Sequence, residues 1–356
     1  MSDITKQDIF NIKTEADFRR VALAIFRKQS KECAPYAENI SLLGIDPEAV
    51  SDICSIPFLP VRYFKSRDII TTSPTESVRD GVIEADKLDS MSVTEKVFTS
   101  SATTGMVPAR HLVKDLSIYE ESFLRSFSLF FAPPENHTIL ALLPSYIERE
   151  GSSLVYMADK LIALTGKEDS GFYLYNYEEL YNTLIRLRDR NEPTILLGVS
   201  FALLDFVKRY KIKFPALTVM ETGGMKGRGE EISREKLHTA LKEGFGVEQI
   251  ASEYGMAELL SQAYSHGEGI FRTPPWMKIF IRDINNPFRI LSPQKSDNSD
   301  NIGILGGVNI IDLANINSCS FIETEDLGTK KSGEIFTLSG RISNSERRGC
   351  NMLIED

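Results

Sequence analysis

Residues 194–224 read TILLGVSFALLDFVKRYKIKFPALTVMETGG. Thr194 to Gly198 is a short apolar run, long enough for a buried strand and too short for a helix. Phe201 to Tyr210 has the pattern of a helix, and Ala216 to Met220 is a second strand that closes on Glu221-Thr222-Gly223-Gly224. Two strands joined through a helix are most simply paired in parallel, because a parallel pair needs a crossover of this kind.

The same alternation continues on both sides. Downstream, Ser233 opens a helix and Glu248 to Ser252 suits a further strand. Upstream, Asn176 can cap a helix that runs to about Arg190, and Ser152 can cap one that ends before Gly166. Thr138 to Leu143 reads as a buried strand. Before it, 114–131 sets Leu116, Tyr119, Phe123, Phe127 and Phe130 on one helical face. Residues 14–32 repeat that spacing with Phe18, Val21, Ala22 and Ile25, whereas Asn39 to Ala85 shows no clear period and reads as a loop-rich cap. After Trp276 the pattern changes. Met277 to Ile284, Ile304 to Leu313, Ser318 to Thr324 and Glu334 to Leu338 favour strand, with an exposed polar loop over 292–301. The expected fold class is α/β, with layered sheets and helices over 1–270 and a β-rich subdomain over 271–356.

Composition narrows the function classes. The chain has 356 residues, 41 of them Lys or Arg and 50 Asp or Glu, for a formal charge of −9. That balance argues against a global attraction to nucleic acid or to anionic membranes. The most apolar stretches, 127–132 and 139–143, fall far short of a membrane span, and the N-terminus lacks the pattern of a signal peptide. Cytoplasm is the expected location, and a homodimer is expected on base rates alone. Cys33, Cys54, Cys319 and Cys350 form no CxxC pair, which argues against a zinc site and for reduced thiols.

The sharpest local signal is Phe98-Thr99-Ser100-Ser101-Ala102-Thr103-Thr104-Gly105-Met106-Val107-Pro108-Ala109-Arg110. Small hydroxyl side chains leave backbone amides uncovered, so such a loop can offer several donors to anionic oxygens at once. Gly105 permits close approach, and Arg110 can add charge-assisted donors. It is not a Walker A loop, since no Gly-Lys-Ser/Thr closes it. On residue types alone, a surface loop rich in Ser and Thr explains the same stretch.

This loop resembles the phosphate-binding signature of the adenylate-forming superfamily. Three further stretches resemble its other signatures, in the same order: Tyr254-Gly255-Met256-Ala257-Glu258, Thr324-Glu325-Asp326-Leu327-Gly328 and Gly340-Arg341. Leu143-Pro144-Ser145-Tyr146, Gly151-Ser152-Ser153-Leu154, Met220 to Lys226 and Arg348-Gly349-Cys350-Asn351 are similar to phrases of the bacterial acyl-protein synthetases, the long-chain-fatty-acid–protein ligases. Phenylacetate–coenzyme A ligases are more distantly similar. The likeness runs from about residue 10 to the C-terminus.

The resemblance implies the N-terminal core of an adenylate-forming enzyme. It implies ATP- and Mg²⁺-dependent conversion of a carboxylic acid, by family default a long-chain fatty acid, to acyl-AMP. Transfer to an enzyme cysteine, an acceptor protein or a reductase subunit would follow; coenzyme A ligation and a non-catalytic acyl- or nucleotide-binding subunit are the alternatives. It assigns Thr99, Ser100, Ser101, Thr103, Thr104 and Gly105 to the ATP phosphates, with Arg110 beside them. Glu258 becomes the Mg²⁺ ligand, Asp326 the ribose acceptor and Arg341 a bridge to ribose or phosphate. Tyr254, Gly223 and Gly224 would line the adenine and acyl side, and Cys350 would carry the acyl group, with Cys319 as its competitor. Each has a plainer explanation: a surface arginine at Arg110, helix-end stabilisation by Glu258, a common Asp-Leu-Gly turn at Asp326, a packed aromatic at Tyr254. The small mobile domain usual in the superfamily, with its lysine, is expected to be absent after Arg341, with Lys226, Lys330 and Lys331 as the candidates to stand in.

Overall fold

Strands of buried aliphatic residues followed by one-faced helices build the middle of the chain, as the alternation predicts. The computed structural model describes residues 4–72, 94–100, 107–143, 151–174, 176–223, 232–291, 303–331 and 334–342. Its elements begin with α1 (Lys6–Phe10), α2 (Glu15–Glu32), α3 (Ala34–Leu42), β1 (Leu59–Pro60), β2 (Lys96–Thr99), β3 (Arg110–Val113), α4 (Leu116–Phe131) and β4 (Thr138–Leu142). They continue with α5 (Ser153–Thr165), β5 (Gly171–Phe172), α6 (Tyr177–Asp189), β6 (Thr194–Val199), α7 (Ser200–Arg209), β7 (Leu217–Thr222) and α8 (Arg234–Phe245). Then come β8 (Ala251–Tyr254), β9 (Ala263–Ser265), β10 (Phe271–Arg272), β11 (Met277–Arg282), β12 (Ile290–Leu291), β13 (Ile304–Asp312), β14 (Phe321–Lys330) and β15 (Ile335–Arg341).

The chain divides into two compact units. One comprises Glu120–Met256 and Gln262–Arg272. Its strands lie in the order β5-β4-β6-β7-β8 with parallel pairing, followed by β9 and β10 in antiparallel pairing. Leu196 of β6 sits in register between Leu140 and Val219, and all three are fully buried. Burying a side chain of that size contributes about 1.5–3 kcal/mol. Helix α7 covers it with Ala202, Leu203 and Phe206, and Phe206 stacks on Phe245 of α8 at 5.7 Å. Close approach of α7 to β6 requires Gly198, where a Cβ would lie 2.7 Å from Leu203 Cγ. Ser152, Asn176 and Ser233 accept from the backbone N–H of Val155, Glu179 and Lys236, and so start α5, α6 and α8 where the sequence indicates.

The other unit comprises Met1–Tyr119, Ala257–Ser261 and Thr273–Asp356. Here β12-β11-β13-β14-β15 form an antiparallel sheet, β1 runs parallel beside β14, and β2 and β3 form a separate hairpin. Thr14 and Asp17 close a reciprocal capping box at the start of α2. The apolar stripe of α2 needs a partner, and Phe26 meets Phe321 edge-on at 5.8 Å. Gln29 donates to the carbonyls of Asn315 and Ile316 and accepts from the Ser320 amide. These contacts group the N-terminal helices with the C-terminal strands, whereas the expected division near residue 270 runs along the chain.

Some local expectations differ from the structure, and the strand expected over Glu248 to Ser252 is β8, shifted to Ala251–Tyr254. The cap expected to be loop-rich contains part of α3 and a 3-10 helix at Val61–Lys65. Glu258 lies in an irregular turn between β8 and β9 and not one turn into a helix. The strand expected to end at Thr324 continues to Lys330, which makes Asp326 a strand residue.

Candidate active site

The hydroxyl-rich stretch begins at the end of the β2–β3 hairpin, where Thr99 is opposite Arg110. Ser100 uses its amide to donate to the Ala109 carbonyl, and its hydroxyl oxygen accepts from the Ala109 amide at 2.9 Å. This pair closes the hairpin stem. Arg110 lies 3.6 Å from Asp68, with both side chains partly exposed. Ser101, Thr103, Thr104 and Gly105 lie outside the described residues, as do Gly224, Lys226 and Cys350.

Glu258, Asp326 and Arg341 belong to that same unit. Arg341 and Asp326 are opposite each other on β15 and β14, and the guanidinium Nε is 3.4 Å from the carboxylate. Glu258 is buried, at 6% exposure. Desolvation pushes its carboxyl pKa up, against its own backbone N–H and the charges of Arg341 and Lys65, while the Asp326 charge adds to the rise. Residues far apart in sequence therefore share one electrostatic neighbourhood. Lys65, from the 3-10 helix before the hairpin, joins them without any marker in its own stretch of sequence.

The turn that carries Glu258 is held by side chains from elsewhere in the unit. His111, next to Arg110 on β3, donates from Nδ1 to the Ala257 carbonyl and accepts at Nε2 from the Ser318 hydroxyl, both at 2.9 Å. The carbonyl partner fixes that tautomer, and burial lowers the imidazole pKa to about 4, so the ring is neutral near pH 7. Asp312, the last residue of β13, and Asn315, in the 3-10 turn that follows it, hold the same turn. A signal for them did exist: Asp312 interrupts an otherwise apolar run, where a polar residue needs partners.

In the other unit, Gly223 follows β7 with φ +65°, and its carbonyl accepts from the Ser200 hydroxyl at 2.5 Å. Tyr254 ends β8, buried, and meets Phe271 edge-on at 6.1 Å. The adjacent Glu221 and Glu253 are also buried. Glu253 accepts from the Thr222 hydroxyl. Glu221 has Ser200 at 3.1 Å, His238 at 3.5 Å and Arg234 at 3.6 Å.

Cys319 is fully buried, and desolvation holds its thiol well above the usual range, which removes it as an accessible acyl carrier. Lys330 is turned toward the Ile279 carbonyl at 2.8 Å and lies 3.7 Å from Glu334. A cavity of about 440 Å³ in the unit of the N- and C-terminal segments is lined by Phe58, Tyr63, Arg282, Glu323 and Glu325; neither Glu258 nor Asp326 lines it.

Among the described residues, no cluster of three His, Cys, Asp or Glu side chains could by itself enclose a metal ion. A single buried carboxylate still fits Mg²⁺, which commonly takes one or two carboxylates and completes its shell with phosphate oxygens and water. Among the described residues, no helix is long and apolar enough to cross a membrane.

No family model matches the chain, and no curated protein matches it. Among solved structures, its fold is similar to the luciferase-like enzyme from the nonluminescent Zophobas morio mealworm, with a TM-score of 0.46 and 16% identity, covering 77% of this chain and 62% of that one. It is also similar to the O-succinylbenzoate coenzyme A synthetase of Bacillus subtilis, solved with ATP and magnesium ion (TM-score 0.46, 15% identity, 69% and 49% coverage). A third is a long-chain-fatty-acid coenzyme A ligase of Archaeoglobus fulgidus (TM-score 0.47, 13% identity, 70% and 51% coverage). The chain spans 49–62% of the length of these three proteins.

Proposed function

We propose that this chain activates a carboxylic acid with ATP, forming an acyl-adenylate that then passes its acyl group to a thiol. The observation that carries the reading is the shared neighbourhood of Glu258, Asp326, Arg341 and Lys65 in the unit that also bears the hydroxyl-rich hairpin. Four sequence signatures in superfamily order supply the rest.

In the first step, a carboxylate oxygen of the substrate attacks the α-phosphorus of ATP. The bond from that phosphorus to the bridging oxygen breaks, and pyrophosphate leaves with the electron pair. Negative charge meets negative charge, so donors aimed at the developing phosphorane oxygens make the largest difference. The loop from Thr99 to Gly105 and the Arg110 guanidinium take that role, Asp326 accepts from the ribose hydroxyls, and Arg341 supplies positive charge beside them. Glu258 is the residue that would hold Mg²⁺, which when bound neutralises charge on the triphosphate. In the second step, a thiolate attacks the acyl carbon and AMP departs with its oxygen. Coenzyme A and a protein cysteine such as Cys350 are the two thiols to distinguish.

The test is acid-dependent exchange of labelled pyrophosphate into ATP over a panel of short, aromatic and long-chain acids. Exchange with at least one acid supports the reading; none with any acid sinks it and leaves a nucleotide- or acyl-binding subunit. Product analysis with and without coenzyme A, together with intact mass of wild-type and Cys350→Ala protein, then identifies the acceptor.

A further inference from the structure

The turn Ala257–Ser261 lies outside regular secondary structure, and all but one of its five residues are at most 6% exposed, Ala257 being at 8%. Buried peptide groups that lack ladder partners must find others. Asp312 and Asn315 provide most of them. Asp312 Oδ2 accepts from the Leu260 and Ser261 amides, both at 2.9 Å, and its Oδ1 accepts from the Ser261 hydroxyl at 2.6 Å. Asn315 Oδ1 accepts from the Leu260 amide at 3.1 Å, while its Nδ2 donates to the Glu258 carbonyl at 2.8 Å. Asp312 is further fixed by the Ala314 amide at 3.1 Å, and Trp276 Nε1 donates to the Ser261 hydroxyl at 3.0 Å. Both residues are fully buried. The peptide groups on each side of Glu258 are thus held, His111 taking the Ala257 carbonyl and Asn315 the Glu258 carbonyl.

We infer that Asp312 and Asn315 are positioning residues that present the Glu258 carboxylate to its cation. This rests on the reading of Glu258 given above. Turn residues gripped at successive backbone groups cannot rotate to relieve the desolvated side chain, so the carboxylate stays in place ahead of binding. Partners one shell removed from a metal typically change its affinity by about 10–100-fold.

The test compares Asp312→Asn and Asn315→Ala with Tyr36→Phe, which deletes a buried bond to the Pro57 carbonyl in the same unit without touching the turn. Hydrogen exchange at the Leu260 and Ser261 amides should quicken at least about tenfold in the first two and stay unchanged in the third. Half-saturating Mg²⁺ in pyrophosphate exchange should rise about tenfold in the first two, with KM for the acid within about twofold of wild type. Faster amide exchange with an unmoved Mg²⁺ midpoint, or an equal shift in Tyr36→Phe, overturns the inference. Wild-type protein inactive on every acid would instead overturn the function proposed for Glu258, and unchanged amide exchange in the variants would independently refute the grip on the turn. Should the larger changes prevent folding, Ser261→Ala removes only the hydroxyl bonds to Asp312 and from Trp276, leaves the backbone bonds of the turn, and should raise the midpoint about threefold; no shift in that variant counts against the inference.

Discussion

Glu221, near the end of β7, and Glu258, in the turn after β8, are both buried carboxylates, yet their surroundings treat them oppositely. Burial raises the pKa of each. At Glu221 the nearby His238, the Arg234 charge and Ser252 outweigh desolvation, and the pKa falls below the ordinary range. At Glu258 desolvation prevails over its backbone bond and the charges of Arg341 and Lys65, and the pKa rises. A carboxylate whose charge is balanced within the protein serves the fold. One left short of positive charge gains most from a cation that arrives later.

The largest expected effect breaks that contrast directly. Glu258→Gln should lower Mg²⁺-dependent pyrophosphate exchange by about a hundredfold without lowering the melting temperature, since it removes a desolvated charge and leaves the gripped backbone intact. Calorimetry and exchange rates on the same preparation read both halves. Glu221→Gln should do the reverse: a loss of about 2 kcal/mol in denaturant unfolding, with exchange per folded molecule retained. Asp326→Asn sharpens the picture, because it removes the negative neighbour that adds to the rise at Glu258. It should raise KM for ATP about tenfold, the equivalent of one charge-assisted hydrogen bond.

A smaller effect concerns pH and the two groups that flank the Glu258 turn. The Asp312 carboxyl is raised from 3.8 to about 6 by burial, so its contribution to stability is full below pH 3.8 and is lost as pH rises through about 6. The His111 imidazole is lowered from 6.5 to about 4 by burial, so its contribution is full above pH 6.5 and is lost as pH falls through about 4. Between about pH 4 and 6 the slopes oppose each other, and these two groups together leave wild-type stability nearly flat. Asp312→Asn should expose the His111 slope, a loss of up to about 1.4 kcal/mol per pH unit on acidification, and His111→Asn should expose the opposite slope. Urea unfolding at a series of pH values reads the slope, whatever the absolute loss from either substitution.

The α/β layers were legible because strand and helix impose different periods on apolar residues, and the caps at Ser152, Asn176 and Ser233 mark helix starts by local chemistry. The Glu258 turn was not legible as a turn. Nothing in its own residues forbids a helix; Asp312 and Asn315, more than fifty positions downstream, take the Leu260 and Ser261 amides. The grouping of α2 with β14 was hidden for the same reason, since an apolar stripe shows that a partner exists and not which one.

By itself, the order of the residues determined the fold class, the starts of α5, α6 and α8 and the types of side chain offered as candidates. Only the folded chain decided which of those groups share one electrostatic neighbourhood, that Lys65 joins them, and that Cys319 is shut away from any acyl group. Periodicity and capping are short-range properties, set within a few residues. Burial and charge at Glu258 depend on the hairpin stem, β13 and β14 folding around it, and those distances exist only in three dimensions.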